Sequence, residues 1–86
     1  MSVAGRKKKM DTRVGAFIGF VIDEARRNQG ISKSELARRR GVAYQTVLRH
    51  MTKGITGIDL ICDYCTELGL DPGQTVGKAW DMETSR

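Results

Sequence analysis

The residues of this 86-residue chain best equipped for chemistry are planar hydrogen-bonders and cations, not nucleophiles or metal ligands. Gln45 and Arg49 stand four residues apart, a spacing that puts both on one face of a helix. Glutamine can bridge N6 and N7 of adenine, arginine can fork onto O6 and N7 of guanine, and an apolar tip such as Leu48 can touch a thymine methyl. Thr46 flanks the same face. Cations gather nearby as Arg38, Arg39 and Arg40, and again as Arg6, Lys7, Lys8 and Lys9. Cys62 and Cys65 form a C-x-x-C pair, but structural zinc wants four ligands and only His50 offers another conventional nitrogen or sulfur. A redox pair wants a helix N-terminus and positive surroundings, whereas Asp63 and Glu67 favour the protonated thiol. The two cysteines therefore read as core packing and His50 as a half-buried core residue. With no serine or cysteine nucleophile paired to His50 in a recognisable motif and no glycine loop to cradle phosphate, no enzyme activity, metal or cofactor is expected.

Charge says what kind of partner those residues would meet. Residues 1–54 hold thirteen Lys/Arg against four Asp/Glu, a balance of +9, whereas residues 55–86 hold two against six, a balance of −4. A basic half joined to an acidic half points to a polyanion on one side. Most charge runs are solvated helix faces; the surplus of the first half is what favours phosphate contact by Arg39 or a neighbour. Two thiols in an unstapled helical domain fit a reducing cytoplasm. The basic run at 6–9 followed by the apolar residues 14–22 superficially mimics a signal peptide. Asp11 and Arg13 interrupt the approach, Asp23 and Glu24 follow at once, and no small-residue cleavage site is present. Residues 14–22 are also too few to span a bilayer, so no membrane association is expected.

The elements that would position these residues are short helices, since one proline and no β-branched alternation leave strands little support. Residues 1–10 read as a flexible basic arm, residues 11–82 as the folded domain and residues 83–86 as a frayed end. The first helix is expected to start at a cap on Asp11 or Thr12 and run to about residue 28, with Val14, Phe17, Ile18, Val21, Ile22 and Ala25 as its buried stripe. Gly15 and Gly19 lie off that stripe, where they could admit a close neighbour, and Gly30 stops the helix. Ser32 and Glu35 form a capping box at the second helix, with Ile31 and Leu36 as its hydrophobic staple and Gly41 as its end. The third spans roughly 44–52, burying Val47 and Met51 opposite Gln45 and Arg49. Ile55, Thr56, Asp59 and Leu60 repeat the box and staple at the fourth, whose stripe is Ile61, Tyr64, Cys65 and Leu68, ended by Gly69. Asp71 caps and Pro72 opens the fifth, with Val76, Ala79 and Trp80 on one side. The expectation is an all-α compact bundle of about five short helices.

Residues 31–54 resemble the helix-turn-helix of the phage lambda-repressor and Cro class. Leu36 and Ala37 match the apolar-then-alanine pair of its first helix, Gly41 and Val42 its turn, Val47 the buried position of the recognition helix, and Lys53 and Gly54 its end. Residues 58–70 are similar to the family's fourth helix, and the likeness covers roughly 12–80. Three residues depart from the pattern. Arg40 replaces an aliphatic residue, so its stem is expected to pack while its guanidinium reaches solvent. His50 replaces Ile or Leu, and Ala43 replaces the usual Ser or Thr cap. The resemblance implies that Tyr44, Gln45 and Arg49 face bases, that Lys33, Ser34 and Lys53 hold phosphates, and that Arg6, Lys7, Lys8 and Lys9 form a wrapping arm. It implies a cytoplasmic, sequence-specific double-stranded DNA-binding regulator, a small Cro-like repressor acting by operator occlusion. Such a chain would lack a further oligomerisation domain and could form a homodimer through the fifth helix or a C-terminal surface that includes Trp80. One alternative is an antitoxin-like interaction module that binds a partner through its acidic half. Another is a nonspecific nucleoid or RNA-binding protein.

Overall fold

The computed structural model describes residues 13–85. Five helices follow in order: α1 (Val14–Asn28), α2 (Lys33–Arg40), α3 (Tyr44–Lys53), α4 (Ile58–Leu68) and α5 (Pro72–Thr84), and no strand occurs among the described residues. The expected stripes are the ones buried. Ile18, Val21 and Ile22 of α1, Leu36 and Ala37 of α2, Val47 and Met51 of α3, and Ile61, Tyr64, Cys65 and Leu68 of α4 form the centre with Ile31, Ile55 and Ala79. Val14, Phe17, Ala25 and Val76 pack around that centre. No described helix is long and apolar enough to cross a membrane.

At its C-terminal end α3 is seated against α1 by backbone as well as by side chains. A Cβ on Gly19 would lie 2.6 Å from the carbonyl oxygen of His50, and one on Gly15 would lie 3.0 Å from that of Ile55. Gly54 answers from the other side: at φ 113° it brings the chain so close that its own Cβ would stand 2.7 Å from the backbone nitrogen of Ala16. Across this contact the Ile55 N–H donates to the Gly15 carbonyl at 2.9 Å.

That contact also relocates a helix start. Thr56 does not cap α4; the helix begins at Ile58 after Gly57, with no side-chain cap bond. The expected box fails because Ile55 is tied to α1 and Thr56 lies against Gly15, so the cap falls one residue later, on Gly57. The box at α2 forms by half. Ser32 Oγ accepts from the Glu35 N–H at 3.0 Å, but the Glu35 carboxylate turns forward to Arg38 and Arg39. Asp71 caps α5 as expected, accepting from the Gln74 N–H at 2.8 Å.

Both chain ends of the bundle differ from expectation. Asp11 and Thr12 lie outside the described residues, and α1 starts after Arg13, whose side chain makes no cap bond. Its backbone N–H instead donates to Glu83 Oε1 at 3.1 Å, so a carboxylate from the far end of the chain faces the positive end of α1. At the other end α5 runs through Thr84, and Ser85 Oγ donates to the Asp81 carbonyl at 2.6 Å. Trp80 does not join Val76 and Ala79 in the core and is 53 % exposed.

Two glycines test this account by opposite signs. Gly19→Ala forces a methyl into a backbone carbonyl and should lower stability by about 1–3 kcal/mol. Gly77→Ala, in a helix with nothing within 4 Å of the new Cβ, should raise it by about 0.5–1 kcal/mol. Urea denaturation of the two variants reads both.

Candidate nucleic-acid interface

α2 and α3 are joined by three residues, Gly41 to Ala43. Gly41 sits in the left-handed region at φ 69°, which a side chain disfavours, and its turn lets the Val42 N–H return to the Ala37 carbonyl at 3.0 Å. Leu36 and Ala37 then meet Val47 in the core, which fixes α3 against α2 and decides which of its faces is left outside.

On that outer face Tyr44, Gln45 and Arg49 are exposed together, with Thr46 and Leu48 half-buried at its margins. The Arg49 side chain makes no hydrogen bond or ion pair with any described residue. Ala43 leaves the start of α3 without a side-chain cap bond. Lys53, at the C-terminal end of α3, is exposed. At the start of α2, Ser34 is exposed and Lys33 half-buried, and neither lysine is paired within the described residues. Arg6, Lys7, Lys8 and Lys9 lie outside the described residues.

The arginine run is arranged differently from the expectation that one of its members grips phosphate. Glu35 takes both Arg38 and Arg39, the latter at 3.0 Å, and those bonds hold its carboxyl below the ordinary carboxylate range. Arg39 also reaches Glu67 of α4 at 3.9 Å. Arg40, expected to send its guanidinium into solvent, stacks it instead 4.4 Å from the centre of the Tyr64 ring and bonds Asp63 at 3.4 Å, leaving its side chain 12 % exposed. An electron-rich ring face and a carboxylate compete well with water for a guanidinium. Of the residues expected to hold phosphate, Arg39 is exposed but paired with carboxylates, whereas Lys33 and Lys53 have no ion pair among the described residues and Ser34 is exposed.

The same pairing draws on the acidic half. Asp63 holds Arg40, Glu67 faces Arg39, Asp71 caps α5 and Glu83 receives the Arg13 N–H. Asp63 and Glu67 thereby meet cations of α2, whereas Asp71 and Glu83 accept from neutral backbone N–H groups and keep their charge.

Two arrangements were not foreseen in the sequence. Arg26, in the polar part of the α1 pattern, is buried; it donates to the Ile31 carbonyl at 2.7 Å and to Asp23 at 2.7 and 2.9 Å, stitching α1 to the start of α2. The Asp-x-x-Arg spacing was its only signal. The second is a bond between α3 and α4: His50 Nδ1 lies 2.8 Å from the Tyr64 hydroxyl, the rings meeting edge to face at 85°. Burial lowers the pKa of His50, helped by Arg49 and Arg40, and raises that of Tyr64. The phenol thus stays protonated beside a neutral imidazole, and the ring's tautomer sets which of the two donates. Cys65 is buried, its thiol pushed up by that burial and directed to Thr75 Oγ1, whereas Cys62 is half-buried.

No family model, curated protein or solved structure matches the chain.

His50 makes stability pH-dependent with a definite sign. Its folded pKa lies below the ordinary 6.5, so the unfolded chain takes up the proton first as the pH drops. The contribution of the neutral ring is therefore fully present above about pH 6.5 and lost as pH falls through the folded value. Thermal melts across this window should show a steeper acid decline for the native chain than for His50→Asn, whose amide oxygen accepts the same bond and does not titrate.

Proposed function

We propose that this chain is a sequence-specific double-stranded DNA-binding regulator of the lambda-repressor and Cro-like helix-turn-helix kind, acting in the cytoplasm by covering an operator. The observation that carries the reading is the outer face of α3, where Tyr44, Gln45 and the unpaired Arg49 stand together on a helix whose other side is core. One α-helix fits the major groove, and amide and guanidinium groups suit the edges of A·T and G·C pairs. Lys33 and Ser34 at the start of α2, with Lys53 and the cations of residues 6–9, supply phosphate contacts that position without reading.

The exposed Trp80 on α5 supports a homodimer through that helix. Such a dimer would place two reading helices on half-sites about one helical turn apart, and the operator would be palindromic. The ion pairs of Asp63 with Arg40 and of Glu67 with Arg39 weigh against a partner protein held by the acidic half.

Selection of bound duplexes from a random library tests the reading directly. A palindromic consensus that outcompetes random duplex by about 10³-fold or more is expected, and binding without enrichment would leave a nonspecific nucleic-acid binder instead. On the enriched duplex, Arg49→Ala should cost about 1–3 kcal/mol and relax preference at one base pair; equal weakening on every duplex would overturn base reading by Arg49. Removing residues 1–9 should flatten the salt dependence.

A further inference from the structure

α3 is held at its inner side by aliphatic packing, which fixes depth better than rotation, because apolar contacts are non-directional. Directional side-chain contacts from α4 and α2 to α3 come from one cluster, beside the backbone bond from Ile55 to Gly15 at the end of α3. Asp63 of α4 bonds Arg40 at the end of α2; the Arg40 guanidinium lies 4.4 Å over the Tyr64 ring of α4; the Tyr64 hydroxyl lies 2.8 Å from His50 Nδ1 on α3. Tyr64 is completely buried and Arg40 nearly so, so both are pinned by their surroundings and cannot relax independently. His50 is the residue next to Arg49. A rotation of α3 about its axis that re-aims Arg49 therefore stretches the bond to Tyr64.

We propose that Arg40, Tyr64 and His50 form a positioning chain which sets the rotation of α3, so that discrimination among duplexes depends on the hydrogen bond between Tyr64 and His50. The proposal rests on the duplex-binding reading above. None of the three residues needs to touch DNA: each acts through the next, and the last acts on Arg49 through the helix backbone. The chain is also proton-sensitive. The neighbours facing His50 are Arg49 on its own helix, Arg40 from α2 and the Tyr64 hydroxyl from α4, and α1 meets this turn at the uncharged Gly19. An imidazolium can only donate to the Tyr64 oxygen and would stand between the cations Arg40 and Arg49, so acid loosens the chain at His50.

The test compares the native protein with Tyr64→Phe, His50→Leu and His50→Asn on two probes, the duplex enriched from the library and a random duplex, at about pH 8 and about pH 5.5. Tyr64→Phe and His50→Leu should lower the ratio of the two affinities by about tenfold, the worth of one net hydrogen bond, while random-duplex affinity holds. His50→Asn should keep the native ratio and lose its acid decline. In parallel, the single histidine of the chain gives one resolved imidazole signal in proton NMR. Tyr64→Phe should raise its titration midpoint and speed amide exchange along the second half of α3.

An unchanged midpoint with unchanged exchange would overturn the proposal, as would an equal loss on both duplexes, which marks general destabilisation. If Tyr64→Phe does not fold, His50→Leu against His50→Asn makes the same comparison at a half-buried site. Failure to enrich any duplex would instead sink the duplex reading, and the positioning claim with it, whatever the NMR result.

Discussion

Where α1 crosses the end of α3, two stretches of backbone approach within contact of each other. Gly15 and Gly19 on one side and Gly54 on the other remove the atoms that would hold the helices apart, and the Ile55 N–H bonds the Gly15 carbonyl across the gap. Close-packed interiors transmit small displacements, so much else follows from this contact. It draws the chain out of helix at Gly54, delays α4 until Ile58, and sets Ile55 into the core. It also fixes the inner side of α3, and thereby the residues left facing outward. An added methyl at Gly19 would be felt at Tyr44 and Arg49 as well as in the core.

The parts of this fold legible in the sequence were those governed by nearest neighbours along a helix. The stripe of α1, the Ser32 and Asp71 caps, the Gly41 turn and the buried set of α4 all follow from spacing and local chemistry. Long-range contacts were not legible. Thr56 carries the right side chain for a cap, but its neighbour is tied to α1; Trp80 has a core residue's chemistry but lies on a face that no described element covers. The fate of Arg40 could not be read because its partners are 23 and 24 residues away. On the candidate interface, the exposure of Gln45 and Arg49 was implied by helical phase alone, whereas the pairing of Arg39 draws on Glu67 from another helix.

The division of the chain into a basic and an acidic half takes on a different meaning once folded. Carboxylates of α4 meet arginines of α2 across a helix interface, so part of the separation in sequence is cancelled in space. Such partly exposed pairs are individually weak, about 0–1 kcal/mol each, and their larger effect is to decide which cations remain unspent. The unspent ones among the described residues include Lys33, Arg49 and Lys53. A surface selected in this way is narrower than the composition suggests, and it is centred on α3.

Trp80 carries an optical consequence. It is the sole tryptophan of the chain, and it stands 53 % exposed on the outer side of α5. Its indole therefore already emits from a largely aqueous setting in the native state, and unfolding changes that setting little. Intrinsic fluorescence is in this molecule a poor gauge of the core and a sensitive gauge of whatever comes to lie on α5. A concentration-dependent blue shift at constant helicity would register a covered helix without any label.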